Sequence, residues 1–183
     1  SDEVYEHLIY EGASHSSVLK NEELRKKSVA LYSCGTTFHA TGWKMGYCIA
    51  PKLLTEEFRK IHQFVTFSSS TPFQAGITKM LSESPQHVEQ LSSFYQEKRD
   101  QFCHLIQGSR FNFTPSKGTY FQLVDYSEIS DLEDRDFCNY LTQEKGVAAI
   151  PLTPFYGKAP NTRVIRFCFC KDDATLDAAA EIL

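Results

Sequence analysis

Between residues 33 and 46 the chain reads Ser33-Cys34-Gly35-Thr36-Thr37-Phe38-His39-Ala40-Thr41-Gly42-Trp43-Lys44-Met45-Gly46. A hydroxyl (Ser33) and a cation (Lys44) held at the end of a strand suit a dianion such as phosphate, and neighbouring backbone amides can assist. The alternative for these residues is turn geometry and capping. Far along the chain, Arg166 sits in Arg163-Val164-Ile165-Arg166-Phe167-Cys168-Phe169. A planar guanidinium grips a carboxylate through two parallel hydrogen bonds. A surface ion pair on a strand is the other reading. The chain opens on Asp2-Glu3-Val4-Tyr5, a carboxylate and a phenol three residues apart. The alternative is a helix or turn cap for Asp2 and a core ring for Tyr5.

These groups need elements to hold them. Residues 28–33 are short, apolar and β-branched, as a buried strand should be, and deliver the 33–46 loop at their C-terminal end. Ligands of open α/β sheets sit at that end of the strands. Residues 18–27 have helical character, and 44–50 read as a second strand stopped by Pro51. Helical spacing runs through Leu54, Phe58, Ile61 and Val65 and again over 74–81, with Pro72 suited to a first helical position. The longest helix is expected over 86–107. From about residue 100 the pattern shifts to strands at 111–113 and 118–125, a helix at 134–143, strands at 147–151 and 163–170, and a last helix from 171 capped by Asp172 or Asp173. The fold class expected is α/β: part of a large-domain sheet over residues 1–95, followed by a smaller α+β domain over 96–183.

The 183 residues carry a formal net charge of −4. A mildly acidic balance without blocks of like charge argues against nucleic-acid binding. No apolar run approaches the ~20 residues that span a bilayer, and no signal peptide opens the chain. Cys34, Cys48, Cys103, Cys138, Cys168 and Cys170 show neither zinc-ligand nor CxxC spacing. No metal is expected, and the thiols read as reduced core residues of a cytoplasmic protein. The beginning is abrupt, as though a buried strand were ending at residue 1.

The 33–46 run resembles the cofactor loop of the class I aminotransferases, which use pyridoxal 5'-phosphate. That pattern is Ser-x-Gly-Lys-Thr, an aromatic, two variable residues, then Thr-Gly-Trp-Lys-x-Gly. Every fixed position matches except the lysine that holds the cofactor covalently, where this chain has Thr36. The resemblance extends from Asp2 to the last helix and is nearest to the branch acting on methionine, kynurenine and aromatic amino acids. In that branch His-Gln-x-x-Thr-Phe-Ser also recurs, here over 62–68. It implies the C-terminal half of a protein about twice this length.

By the same resemblance, Asp2 would pair with the cofactor's pyridine nitrogen and Tyr5 would donate to its ring hydroxyl. Ser33 and Lys44 would bind its phosphate, and Arg166 the α-carboxylate of amino acid and 2-oxo acid alike. His39 and Phe155 are pocket candidates, with ordinary packing as the alternative. Family members are dimers with a shared active site, so a homodimer or other homo-oligomer is expected. A threonine neither links to the cofactor aldehyde nor serves as a base near neutral pH, so impaired catalysis follows. The rival is a non-catalytic domain that binds a ligand or a protein partner.

Overall fold

The computed structural model describes residues 1–160 and 162–183. The chain divides into two compact units, Ser1–Ser92 and Ser93–Leu183.

In the first unit, β1 (Ala30–Ser33) and β2 (Gly46–Ile49) pair antiparallel, from Ala30↔Ile49 to Ser33↔Gly46. Alternation places Ala30 and Tyr32 inward and Leu31 outward. The other edge of β1 takes residues 1–3 in a short parallel pairing. The Leu31 amide donates to the Ser1 carbonyl at 2.9 Å, and the Glu3 amide to the Leu31 carbonyl at 2.9 Å. Gly46 is required where it lies, because a Cβ there would run into the Tyr32 carbonyl. The strand expected over 44–50 begins only at Gly46. Lys44 takes a left-handed backbone (φ 53°) at the end of a 3₁₀ turn, Thr41–Trp43.

Turns and loops occupy residues 4–17, and helical segments joined by short loops follow. The helix expected over 18–27 is a 3₁₀ turn, Val18–Lys20, and one α-turn, Glu22–Arg25. Asn21 separates them in extended conformation, and its side chain accepts from the Leu24 amide. Local capping competes successfully with a continuous helix. Helices Lys52–Val65 and Thr71–Glu83 follow, the second with Pro72 in its first turn. The long helix Pro85–Ile106 begins in the first unit and ends in the second. Helix Lys52–Val65 has the expected apolar period, yet none of its residues is buried: Ile61 is 65% and Phe64 84% exposed.

The second unit is built on an antiparallel sheet in the order β3 (Phe121–Asp125), β5 (Val164–Cys168), β4 (Ile150–Pro151). Ile165 and Phe167 of the central strand are buried. They join a core that includes Phe102, Ile106, Phe111, Phe137 and Leu176. Phe137 stacks on Tyr126 at 4.1 Å. The last helix, Asp173–Ala180, is capped by Asp172, whose carboxylate accepts from the Thr175 amide at 2.8 Å.

Several expected elements are shorter than the pattern suggests. The strand expected over 111–113 is a single bridge, Asn112↔Asp125; the Phe111 amide donates to the Ser109 hydroxyl, and past the bridge the side-chain amide of buried Gln122 donates to the Thr114 carbonyl. β3 starts at Phe121, since Thr119 is left-handed (φ 65°) and its hydroxyl accepts from the Phe121 amide. The 134–143 helix is α-helical over Asp134–Tyr140 and then loosens into a π-turn, Leu141–Lys145, closed by left-handed Gly146. Val147 donates to Leu141 rather than to the sheet, which leaves β4 as two residues.

Candidate functional site

Ser33 ends β1 and caps the turn Cys34–Thr37. Its Oγ accepts from the Thr36 amide at 3.1 Å, while its carbonyl accepts from the Thr37 hydroxyl at 3.2 Å. The capping reading of Ser33 therefore holds. It does not exclude ligand contact, because accepting one bond leaves the hydroxyl proton free to donate. Gly35 lets the chain fold tightly: a Cβ there would lie 2.9 Å from the Thr41 Cα. We expect Ser33→Ala to cost about 0.5–2 kcal/mol through the lost cap, measured by chemical denaturation. Thr36 is half-buried within this turn.

Two backbone links bring Lys44 to the same end of the sheet. Ser33 pairs with Gly46, and the Cys34 amide donates to the Met45 carbonyl at 3.1 Å. The Lys44 side chain is exposed. Residues 1–3 run parallel to β1, so the chain beyond Glu3 emerges where Ser33 does. Asp2 is exposed, and its Oδ1 accepts from the Val4 amide at 3.3 Å. Tyr5 is half-buried in the turn that follows. Pairing of one short sheet thus gathers Asp2, Tyr5, Ser33, Thr36 and Lys44 at one end of the first unit.

His39 has a left-handed backbone (φ 53°) and sets its ring edge-on to His87 at 5.3 Å. Burial, reinforced by His87, holds the His39 imidazole below its ordinary pKa. The Nε2 of His87 lies 2.7 Å from the Thr37 carbonyl, and its ring stacks on Phe38. His87, on the long helix, thereby ties down the loop that contains Thr36.

Glu3 is a residue that motif reading passes over. It is 2% exposed. Its Oε2 accepts from the Tyr32 hydroxyl at 3.0 Å and lies 3.0 Å from His15 Nε2, and its Oε1 accepts from the Val18 amide at 3.0 Å. Burial alone would raise the carboxyl pKa. Bonds from Ser17, His15, Val18 and Tyr32 outweigh it and bring the group down to about 2. A pKa depressed on folding stabilises the fold above the unfolded value, and that stability is lost as pH falls through the folded value. Native stability should therefore decline between about pH 4.5 and about pH 2, and Glu3→Gln should lack that part of the decline in urea titrations at stepped pH.

The second unit holds Arg166 on the central strand, opposite Leu123 and Ile150. Its guanidinium carbon lies 3.9 Å from the centroid of Phe121 and 5.5 Å from that of Phe155. Arg166 Nε is buried and has no hydrogen-bond partner among the described residues. Phe155, 66% exposed, is presented by a 3₁₀ turn, Thr153–Phe155. Asp134 anchors that turn, accepting from the Thr153 amide and hydroxyl, each at 2.7 Å. Burial would raise the Asp134 carboxyl, but these bonds and those from Leu152 and Arg135 hold it below its ordinary range. Arg163 instead pairs with Asp131 at the surface, at 3.0 Å. All six cysteines are free thiols. Among the described residues no helix is long and apolar enough to cross a membrane.

A buried guanidinium edge without a partner suits a carboxylate, and the hydroxyl and ammonium at the end of β1 and β2 suit a phosphate. The first unit thus offers groups that fit the phosphate of pyridoxal phosphate, and the second a group that fits a carboxylate. The chain is 49% identical over 183 residues to a methionine aminotransferase of Escherichia coli (strain K12). It is 33% identical to a kynurenine–oxoglutarate transaminase of Dictyostelium discoideum, and in both cases 100% of this chain covers 47% of the relative. Among solved structures, YbdL from E. coli, described as having a methionine aminotransferase function, superposes with a TM-score of 0.94 at 49% identity. That match covers 100% of this chain and 48% of the other. N-succinyldiaminopimelate aminotransferase of Mycobacterium tuberculosis gives 0.88 at 30% identity, covering 98% and 47%. The chain therefore spans about half the length of the curated relatives it matches. The family described as aminotransferase class I and II matches residues 1–183 in full, and the chain belongs to it.

Proposed function

We propose that the chain provides cofactor and substrate groups for amino-group transfer between an amino acid of the methionine, kynurenine or aromatic type and a 2-oxo acid, with the covalent step impaired at Thr36. The observation that carries this reading is Arg166, a guanidinium packed against aromatic rings with its Nε buried and unpaired. Such a donor gains strongly from a carboxylate. Ser33 and Lys44 would take the cofactor phosphate, Asp2 would keep the pyridine nitrogen protonated, and Tyr5 would donate to the ring hydroxyl. Pyridoxal phosphate, when bound, supplies a ring that accepts electrons from the substrate α-carbon. His39 in the first unit and Phe155 in the second are each candidate pocket residues.

Thr36 can neither hold an aldehyde covalently nor move a proton at the α-carbon near neutral pH. A positioned general base contributes about 10²–10⁴-fold, so its loss raises the barrier by roughly 3–5 kcal/mol. Calorimetric titration with pyridoxal phosphate, followed by borohydride and mass analysis, tests this reading. Binding without a covalent adduct supports it, and an adduct on the native chain refutes it.

A second reading is a non-catalytic ligand-binding or protein-interaction domain. The exposed apolar face of helix Lys52–Val65 favours it. Absence of cofactor binding together with a defined protein partner would select it. Under either reading we take the chain to self-associate, most simply as a homodimer, in a reducing cytoplasmic setting. A strictly monomeric sedimentation profile at high concentration would oppose that.

A further inference from the structure

We propose that Glu3 is a positioning residue, whose buried carboxylate sets the depth and direction at which Asp2 and Tyr5 leave the sheet. This inference rests on the cofactor reading given above.

An ionised carboxylate buried at 2% exposure is costly unless its oxygens are well bonded. Here the bonds come from separate places in the unit: Tyr32 on β1, Val18 in a 3₁₀ turn, and His15 in the loop before it. A second brace lies one turn further along. The Tyr32 ring stacks on Tyr47 of β2, with centroids 4.8 Å apart and planes 13° from parallel. The Tyr47 hydroxyl donates to Glu6 at 3.3 Å. Phenols on two paired strands therefore hold positions 3 and 6, which straddle Tyr5. Among the described residues the Asp2 carboxylate accepts one long bond, from the Val4 amide at 3.3 Å. The Asp2 backbone is set by the Leu31 pairing on either side, one arm of which is the anchored Glu3.

A residue that only stabilises the fold would lower melting without changing how a folded molecule meets its ligand. A positioning residue changes both. Pyridoxal phosphate should be titrated into the native chain, Glu3→Gln, Asp2→Asn, the double variant, and Tyr32→Phe, which keeps the ring stack and removes only the hydroxyl. Supporting groups behind ligand-binding side chains carry about 10–100-fold in other sites, so Glu3→Gln should weaken binding about tenfold or more. Tyr32→Phe should weaken it less, and the double variant should lose less than the product of the two single losses, because the part of the Glu3 effect that acts through Asp2 is already gone while the part through Tyr5 remains. Without ligand, amide exchange should quicken at Glu6 and Leu8, whose N–H groups bond the Glu3 and Tyr5 carbonyls.

Equal binding by folded Glu3→Gln, or losses that multiply in the double variant, overturns the proposal while leaving the cofactor reading intact. Should Glu3→Gln fail to fold, Tyr32→Phe decides: unchanged binding and exchange overturn the proposal. If the native chain does not bind pyridoxal phosphate, the cofactor reading fails and this role falls with it.

Discussion

Arg166→Met should weaken carboxylate recognition by about 10²–10⁴-fold and leave the stability of the second unit nearly unchanged. The two effects have separate origins. Each charge-assisted bond from a guanidinium is worth about 1.5–3 kcal/mol, so losing a bidentate pair removes roughly 3–6 kcal/mol, or about 10²–10⁴-fold in affinity. On the stability side, the variant discards the unpaired Nε, a burden of about 1–3 kcal/mol for a buried unsatisfied group. It also forfeits the contact with Phe121, worth about 0.5–2 kcal/mol. These terms nearly cancel, and methionine refills the space beside the ring. Calorimetry with the amino acid and its 2-oxo acid, alongside thermal melts, separates the two effects. Native affinity in Arg166→Met, or a melting loss equivalent to more than about 3 kcal/mol, would disprove the account. Arg166→Lys should fall between, since it keeps a charge but not the planar fork.

Thr36→Lys should convert reversible cofactor binding into a bond that borohydride makes permanent, with the added mass on the peptide containing residue 36. The half-buried turn already has its cap from Ser33 to the residue-36 amide, and a backbone bond does not depend on the side chain. Lysine is also the better helix former of the two. Amino-group transfer should rise by about 10²–10⁴-fold if the amine also serves as the base. Lys44 is the internal control. It stands in left-handed backbone outside the turn, and trapping at Lys44 in the native chain would show that the phosphate assignment is wrong. Absence of trapping at residue 36 in the variant would show that the loop departs from the family beyond one side chain.

Much of the framework was legible from periodicity. β1 was expected at 28–33 and runs from Ala30 to Ser33, and the helices at 52–65 and 85–106 lie within a residue or two of their apolar patterns. What escaped is non-local or depends on single dihedrals. No propensity anticipates left-handed Lys44 and Thr119, yet they decide where β2 and β3 begin. The break at Asn21 and the π-turn before Gly146 turn on caps that compete with helix by small margins. Glu3 is the sharper case. An acid between Asp2 and Val4 looks like a solvated residue, and its burial becomes visible only when His15 and Tyr32, 12 and 29 residues away, fold onto it. The Arg166 position could be read from alternation in β5, whereas its stacking on Phe121 required the register with β3.

Helix Lys52–Val65 has a practical consequence at the bench. Leu53, Ile61, Phe64 and Val65 all stand well out from the unit, forming a greasy ridge in which water is poorly accommodated. Purified chain will cling to phenyl resins, brighten environment-sensitive dyes while fully folded, and come out of solution first as lyotropic salts are raised.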